Sequence, residues 1–354
     1  VGIGSISTSR ALLAQDTPLA TEPLMTEGKS KDLILLNNSP LSLETPPFLL
    51  DNDITPKELL FVKNNGIPPS NIDGKKWTLT VGGKSNKYSK GRSSESTKRT
   101  LSFTIEELKK RFSSHSYLVT LECAANGRKG FTPSTEGEQW DRGGVGCVKW
   151  TGARLKDILE YVGINNDAQY VVYYGADTTG DSKNEQISKA IPIKKAMENE
   201  TLLAWAMNDE DIPLANGYPL RLVVGGWSAS YSGKWIERIT VRSRVPESQK
   251  VISPACKIPC TASKQGEKVG DEWCVVESMQ VKSLITYPKD DIKAERNKNI
   301  EIRGFAWAGD RAIKELFLST DFGATWKKCE LEEPQNRYAW QIFRGSVSFS
   351  KKGY

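Results

Sequence analysis

The chain is a series of short apolar runs separated by polar breaks containing Gly and Pro, and the period of each run predicts its element. "WTLTVG" (77–82) alternates with period two and predicts a strand. In "SFTIEELKKRF" (102–112) Ile105, Leu108 and Phe112 recur at helical spacing. Thr104, with Glu107 three residues on, supplies a capping box that starts this helix. "YLVTLECA" (117–124) is a strand ending at Cys123. "ARLKDILEYVG" (153–163) is an amphipathic helix stopped by Gly163. "YVVYYGAD" (170–177) is a strand and "IPIKKAMENE" (191–200) a helix with Pro192 near its first turn. "YPLRLVVGG" (218–226) and "KWIERITVRS" (234–243) are further strands. Short helices among strands of irregular order predict an α+β domain rather than repeating βαβ units.

The texture changes twice. Residues 23–60, rich in Pro, Asn and Asp, read as an extended arm. Residues 245–275, rich in Pro, Ser, Lys and Cys, read as a long connection. Beyond it, "MQVKSLITYP", "IEIRGFAWAG", "KELFLSTDFGATWKKCEL" and "RYAWQIFRGSV" are evenly spaced strands, with "TDFGATW" as a hairpin turn. They predict an immunoglobulin-like β-sandwich that lacks its last strand or two, as though the chain stopped short of its natural end. The division expected is an N-terminal signal remnant and arm at 1–44, an α+β domain at 45–245, a linker at 246–279 and the sandwich at 280–354. A length of 354 residues agrees with more than one core.

Composition narrows the function. The 49 cations and 43 anions leave a net charge of +6, which suits an anionic small substrate or an acidic partner but not nucleic acid. No apolar run approaches the ~20 residues of a membrane span. The single histidine, His115, excludes His-rich metal sites. Among six cysteines there is no C-x-x-C pair, so a structural zinc site is not expected. Cys256 and Cys260 would bridge in an oxidising compartment or stay reduced in a reducing one. The first twenty residues resemble the end of an export signal, with a disordered cytosolic N-terminus as the alternative. The basic insertion at 82–99 is a solvated loop or a docking patch for an acidic partner. No G-x-G-x-x-G follows a strand, and no G-x-x-x-x-G-K-[ST] occurs.

Cys123 stands out. A lone buried cysteine is usually a small core residue. Here it ends a strand and faces a tight turn with Arg128. Four more segments add amides, cations and glycine backbone: "FVKNNGIPPS" with Lys63, Asn64 and Asn65; "QWDRGGVGCVKWTGARL" with Trp140 and Arg142; "ANGYPLRLVVGGW" with Asn216 and Arg221; and "SYSGKW" with Lys234. Such groups suit a large anionic cofactor, because glycines admit close main-chain approach and Arg and Lys neutralise phosphate.

These segments resemble the sulfite oxidase family of molybdenum enzymes. "LECAANGR" is similar to the family's strand–Cys–Ala/Gly–Gly–Asn–Arg element. "WTGARLKDIL", "YYGAD", "ANGYPLRLVV" and "SGKW" follow in family order over roughly residues 45–354, and the flavour is that of bacterial periplasmic sulfite dehydrogenases. The resemblance implies a molybdopterin-binding domain followed by a sandwich that mediates homodimerisation. It implies molybdenum with one molybdopterin, and Cys123 as the thiolate ligand of the metal. Lys63, Asn64, Asn65, Asp177, Asn216, Arg221, Ser232, Gly233 and Lys234 would hold the cofactor. Arg128 and Arg142, with Lys63, would form the anion pocket, and Cys147 would lie nearby without ligating. The implied reaction is oxidation of sulfite to sulfate in the periplasm. No C-x-x-C-H haem motif occurs, so electrons would pass to an external acceptor such as cytochrome c.

The sequence departs from the family in three places. Lys63-Asn64-Asn65 stands where many members have Arg-Asn-His, and lysine lacks the planar fork of arginine. Asn216 stands where many have His. No tyrosine occurs between Tyr231 and Tyr287, where relatives carry a catalytic one. Two alternatives therefore accompany the sulfite reading: a sulfane-type dehydrogenase acting on another sulfur substrate, and a non-catalytic binding protein that keeps the fold.

Overall fold

The structure, a computed structural model, describes residues 26–82, 96–244, 257–261 and 270–350. Two sheets sandwich the main core of the first unit. In one, Val145–Arg154 runs between Ser114–Glu122 and Leu202–Met207, whose far edge takes Arg221–Val223 and Glu210–Asp211. The other has the order Leu101–Thr104, Thr78–Val81, Ile236–Arg242, Tyr170–Thr178, Gln186–Pro192, and one of its pairings, Thr78–Val81 with Ile236–Arg242, is parallel. Leu203 and Leu222 from the first sheet meet Leu79, Val171, Ile239 and Val241 from the second. Helix α2 (Leu155–Val162) drives Leu155, Ile158, Leu159 and Val162 into the same core.

Local signals set the boundaries. Helix α1 (Ile105–Arg111) carries both halves of the capping box between Thr104 and Glu107. Gly163 ends α2 at φ +82°, a conformation that favours glycine. The expected helix at 191–200 shortens to one turn, α3 (Ile193–Ala196), because Gln186–Pro192 is a strand and Pro192 sits at the helix N-cap. The N-terminal arm forms two strands, Ile34–Asn38 and Leu41–Glu44, which make a small sheet with Val62–Lys63.

The connection between units holds a short ladder, Lys257–Pro259 with Trp273–Val275, pinned by a Cys260–Cys274 disulfide. Cys260 is therefore bridged to Cys274 and not to Cys256, which lies outside the described residues. So do the N-terminal export-like stretch, at residues 1–25, and most of the basic insertion.

The second unit has a four-stranded sheet, Lys282–Tyr287, Ile300–Trp307, Gln341–Val347 and Glu330–Leu331, beside the pair Phe317–Leu318 and Lys327–Lys328. Phe322 and Gly323, both at positive φ, turn the chain between that pair. This unit covers the open edge of Ser114–Glu122: Thr120 N donates to Tyr338 O at 2.9 Å, and Asn336 takes both main-chain groups of Leu118. Met279, Leu284, Phe305, Trp307 and Trp340 pack there against Leu50, Leu118, Val145 and Cys147. Lys195 Nζ, buried over the Tyr338 ring, donates to Glu198, Asp310 and the Tyr338 hydroxyl. Among the described residues no helix is long and apolar enough to cross a membrane.

Candidate active site

Side chains of Ser114–Glu122 alternate between two environments, as a strand requires. Val119 and Leu121 point into a cluster with Trp140 and Trp150, and Cys123 continues that face. Leu118 points the other way, toward the second unit. Cys147, opposite Thr120, shares Leu118's side of the sheet. It does not line the cavity, contrary to its expected nearness to Cys123. Burial pushes its thiol up to about 11, so it is an inert core residue.

Past the strand end, the turn is fixed by main chain. Cys123 N donates to Gly144 O at 2.8 Å, and Asn126 N donates to Cys123 O at 2.9 Å. A Cβ on Gly144 would lie 2.8 Å from the Trp140 ring and 3.3 Å from the Cys123 Cβ, so glycine is required for the close approach. Gly127, at φ +90°, leads into the short turn that carries Arg128.

Cys123 and Arg128 line one wall of a cavity of about 440 Å³, a size that encloses an organic ligand. Lys63, Asn64 and Asn65 enter from the small N-terminal sheet. Asp177 comes from Tyr170–Thr178, Arg221 from its short strand, and Ser232, Gly233 and Lys234 from the following loop. Ten of the twelve site residues expected from sequence thus surround one space. Asn216 lies behind the wall: buried, it accepts from Lys29 Nζ and donates to Phe61 O. Arg142 is not at the cavity. Its exposed guanidinium pairs with Asp141 at 3.2 Å, because the chain turns outward before the Gly143–Gly144 bend.

Two charged wall residues, Glu138 and Lys189, were not singled out from sequence. Glu138 accepts from Lys63 Nζ at 2.8 Å, Ser42 Oγ at 2.9 Å and Trp140 Nε1 at 3.0 Å. Burial pushes its carboxyl up, but those donors outweigh burial and hold it below its usual value. Lys189 donates to Ser230 Oγ at 2.7 Å and lies over the Tyr231 ring. Trp235, fully buried, adopts φ +48°.

The electrostatics are one-sided. Five cations, Lys63, Arg128, Lys189, Arg221 and Lys234, face two carboxylates, Glu138 and Asp177. Burial, and then the Arg221 charge, hold Lys234 well below its usual value, with Lys29 and Lys63 adding to the effect. Burial pulls Arg221 down to about 10. Three buried donors in the cavity wall have no acceptor among the described residues: Asn64 Nδ2, Arg221 Nε and Trp235 Nε1. Buried N–H groups without acceptors are destabilising, and cations this close repel. Both penalties fall when a polyanion with several acceptor atoms occupies the space.

Comparison with known proteins gives the same picture. Residues 65–250 match the oxidoreductase molybdopterin binding domain, and residues 274–351 match the Mo-co oxidoreductase dimerisation domain. The chain is 30% identical over 357 residues to mitochondrial sulfite oxidase of Mus musculus, covering 96% of this chain and 60% of that protein. Against the Homo sapiens enzyme the figures are 30%, 92% and 58%. A nitrate reductase [NAD(P)H] of Hordeum vulgare is 28% identical over 85% of this chain and 34% of its own length. The chain thus spans about three fifths of the length of these mammalian sulfite oxidases. In fold it resembles the sulfane dehydrogenase SoxCD from Paracoccus pantotrophus, with a TM-score of 0.70, 23% identity, and coverage of 96% of this chain and 81% of that one. The domain that surrounds Cys123 and the domain that braces it place this chain in the sulfite oxidase family of molybdopterin oxidoreductases.

Proposed function

We propose that this protein oxidises sulfite to sulfate with molybdenum held by one molybdopterin, passing electrons to an external cytochrome c. The carrying observation is the cavity itself: a strand-end thiol at one wall, and buried cations with acceptor-less donors at another. The residues present fit the cofactor. Cys123 offers one soft anionic donor. Among the described residues no group of three or more His, Cys, Asp or Glu converges, so the remaining donors would belong to the cofactor. Arg221, Lys234, Asn64 and Trp235 would meet its phosphate and pterin edges, with Asp177, Ser232 and Gly233 alongside. When bound, the molybdenum centre supplies oxygen-atom and electron-transfer chemistry.

The chain's own share is placement. Trp140 and Phe61, packed edge to face, make an apolar stretch of the inner wall. Arg128 and Lys63 present positive charge beside Cys123 for an oxyanion. Charge fixed in place before substrate arrives stabilises an anion more effectively than water that must reorient. The Cys260–Cys274 bond supports an oxidising compartment and hence a periplasmic location. The matched dimerisation domain supports a homodimer.

A sulfur group presented on a partner protein is the second reading. One observation favours it: Glu138 already engages Lys63, which lowers the positive charge offered to a small dianion. The deciding experiment is metal analysis of purified protein together with its absorption spectrum before and after sulfite. Near-stoichiometric molybdenum and a sulfite-induced bleach are expected, and Cys123→Ser should lose both turnover and bleach while remaining folded. Bound metal without a response to sulfite would move the substrate to the second reading. Absence of metal from a host that makes the cofactor would overturn the proposal.

A further inference from the structure

Glu122, one residue before Cys123, is 3% exposed. The site chemistry above does not use it. Alternation along the strand turns its carboxylate away from the cavity, toward the second unit. Its Oε1 accepts from Asn126 Nδ2 at 2.9 Å and from Lys282 Nζ at 2.7 Å, and its Oε2 accepts from Trp307 Nε1 at 2.9 Å. Lys282 and Trp307 lie on the first two strands of the second unit. Lys282 Nζ also donates to Asn126 O at 2.8 Å. Asn126 Oδ1 accepts from Gly144 N at 3.0 Å, and Gly144 O accepts from Cys123 N. A continuous set of bonds therefore begins on the second unit and ends on the main chain of the cavity cysteine.

We propose that Glu122 is a positioning residue, through which docking of the second unit sets the aim of the Cys123 thiol. The proposal rests on Cys123 being the metal ligand. A buried carboxylate deprived of its cation is strongly unfavourable. The Cys123–Gly144 turn is therefore closed only while Lys282 and Trp307 are seated. Networks of this kind fix one geometry when every member is satisfied and lose it when one is removed.

Hydrogen exchange by mass spectrometry on full-length, cofactor-free protein tests the coupling. Lys282→Met keeps the side-chain stem and removes the charge. Amides of residues 123–127 and of Gly144 should exchange ~10-fold faster, while those of Tyr170–Thr178 stay at the parent rate. Trp307→Phe should act in the same direction, and Lys282→Arg should restore most of the protection. In protein loaded with cofactor, the paramagnetic signal of the reduced metal should shift or split in Lys282→Met and return in Lys282→Arg. Unchanged exchange at 123–127 in both Lys282→Met and Trp307→Phe would overturn the proposal. So would uniform acceleration across all strands, which marks a role in stability alone. The exchange measurement needs no cofactor, whereas failure of the functional reading would appear as missing molybdenum in the parent protein.

Discussion

Cation burial at the cavity has consequences for single residues. Lys29 donates to Lys57 O, Leu60 O and Asn216 Oδ1 and meets no carboxylate in those bonds. Burial pulls it down to about 7, Glu58 partly opposes this, and Arg221 pulls further. A lysine whose folded value lies below the usual 10.5 holds fewer protons folded than unfolded between the two values. Stability of the cofactor-free protein should therefore rise as pH increases from about 7 toward 10.5 and level off below 7. Lys234 adds a contribution of the same sign. Thermal unfolding across that range measures it, and Lys29→Met should flatten the slope. At the other wall, Glu138→Gln should release Lys63 toward substrate. We expect a KM for sulfite roughly 3- to 10-fold lower at low salt, with the gain shrinking as salt is added. A KM that stays put would remove Lys63 from the anion pocket.

At the scale of elements, the capping box offers a clean measurement. Thr104→Ala removes the hydroxyl that accepts from Glu107 N at 3.2 Å, and should lower stability by about 1 kcal/mol in denaturant unfolding. This helix start was legible in sequence because Thr104 and Glu107 act on each other within one turn. So was the strand leading to Cys123, whose apolar residues face two cores at once. The strand Gln186–Pro192 was hidden because Lys189 points into the cavity and breaks the apolar pattern of a buried strand. Glu138 reads as one more polar loop residue, since its partners Lys63 and Ser42 lie 75 and 96 positions away. Cys260 has a near neighbour in sequence, yet bonds to Cys274 across a two-stranded ladder that no local spacing announces. Family resemblance located most of the cavity, but it said nothing about which cations are already paired.

For the whole molecule, the second unit is structural cover as well as an interface candidate. It pairs with the edge of Ser114–Glu122 and buries Leu118, Val145 and Cys147. A chain cut before Met279 would expose that strand edge and that apolar face together, and exposed edges of this kind aggregate. Truncation should give insoluble protein rather than a folded monomer. A soluble, monomeric product in light scattering would show that the first unit stands alone. The crowding of Lys234 and Arg221 in the cavity wall, with Lys29 behind them, also reaches beyond the finished enzyme. Protein synthesised without its cofactor should be a trap for whatever multivalent anion is abundant. Inorganic phosphate, citrate or a nucleotide carried through purification should raise its melting temperature, measurable by differential scanning with and without the anion, and should slow later reconstitution.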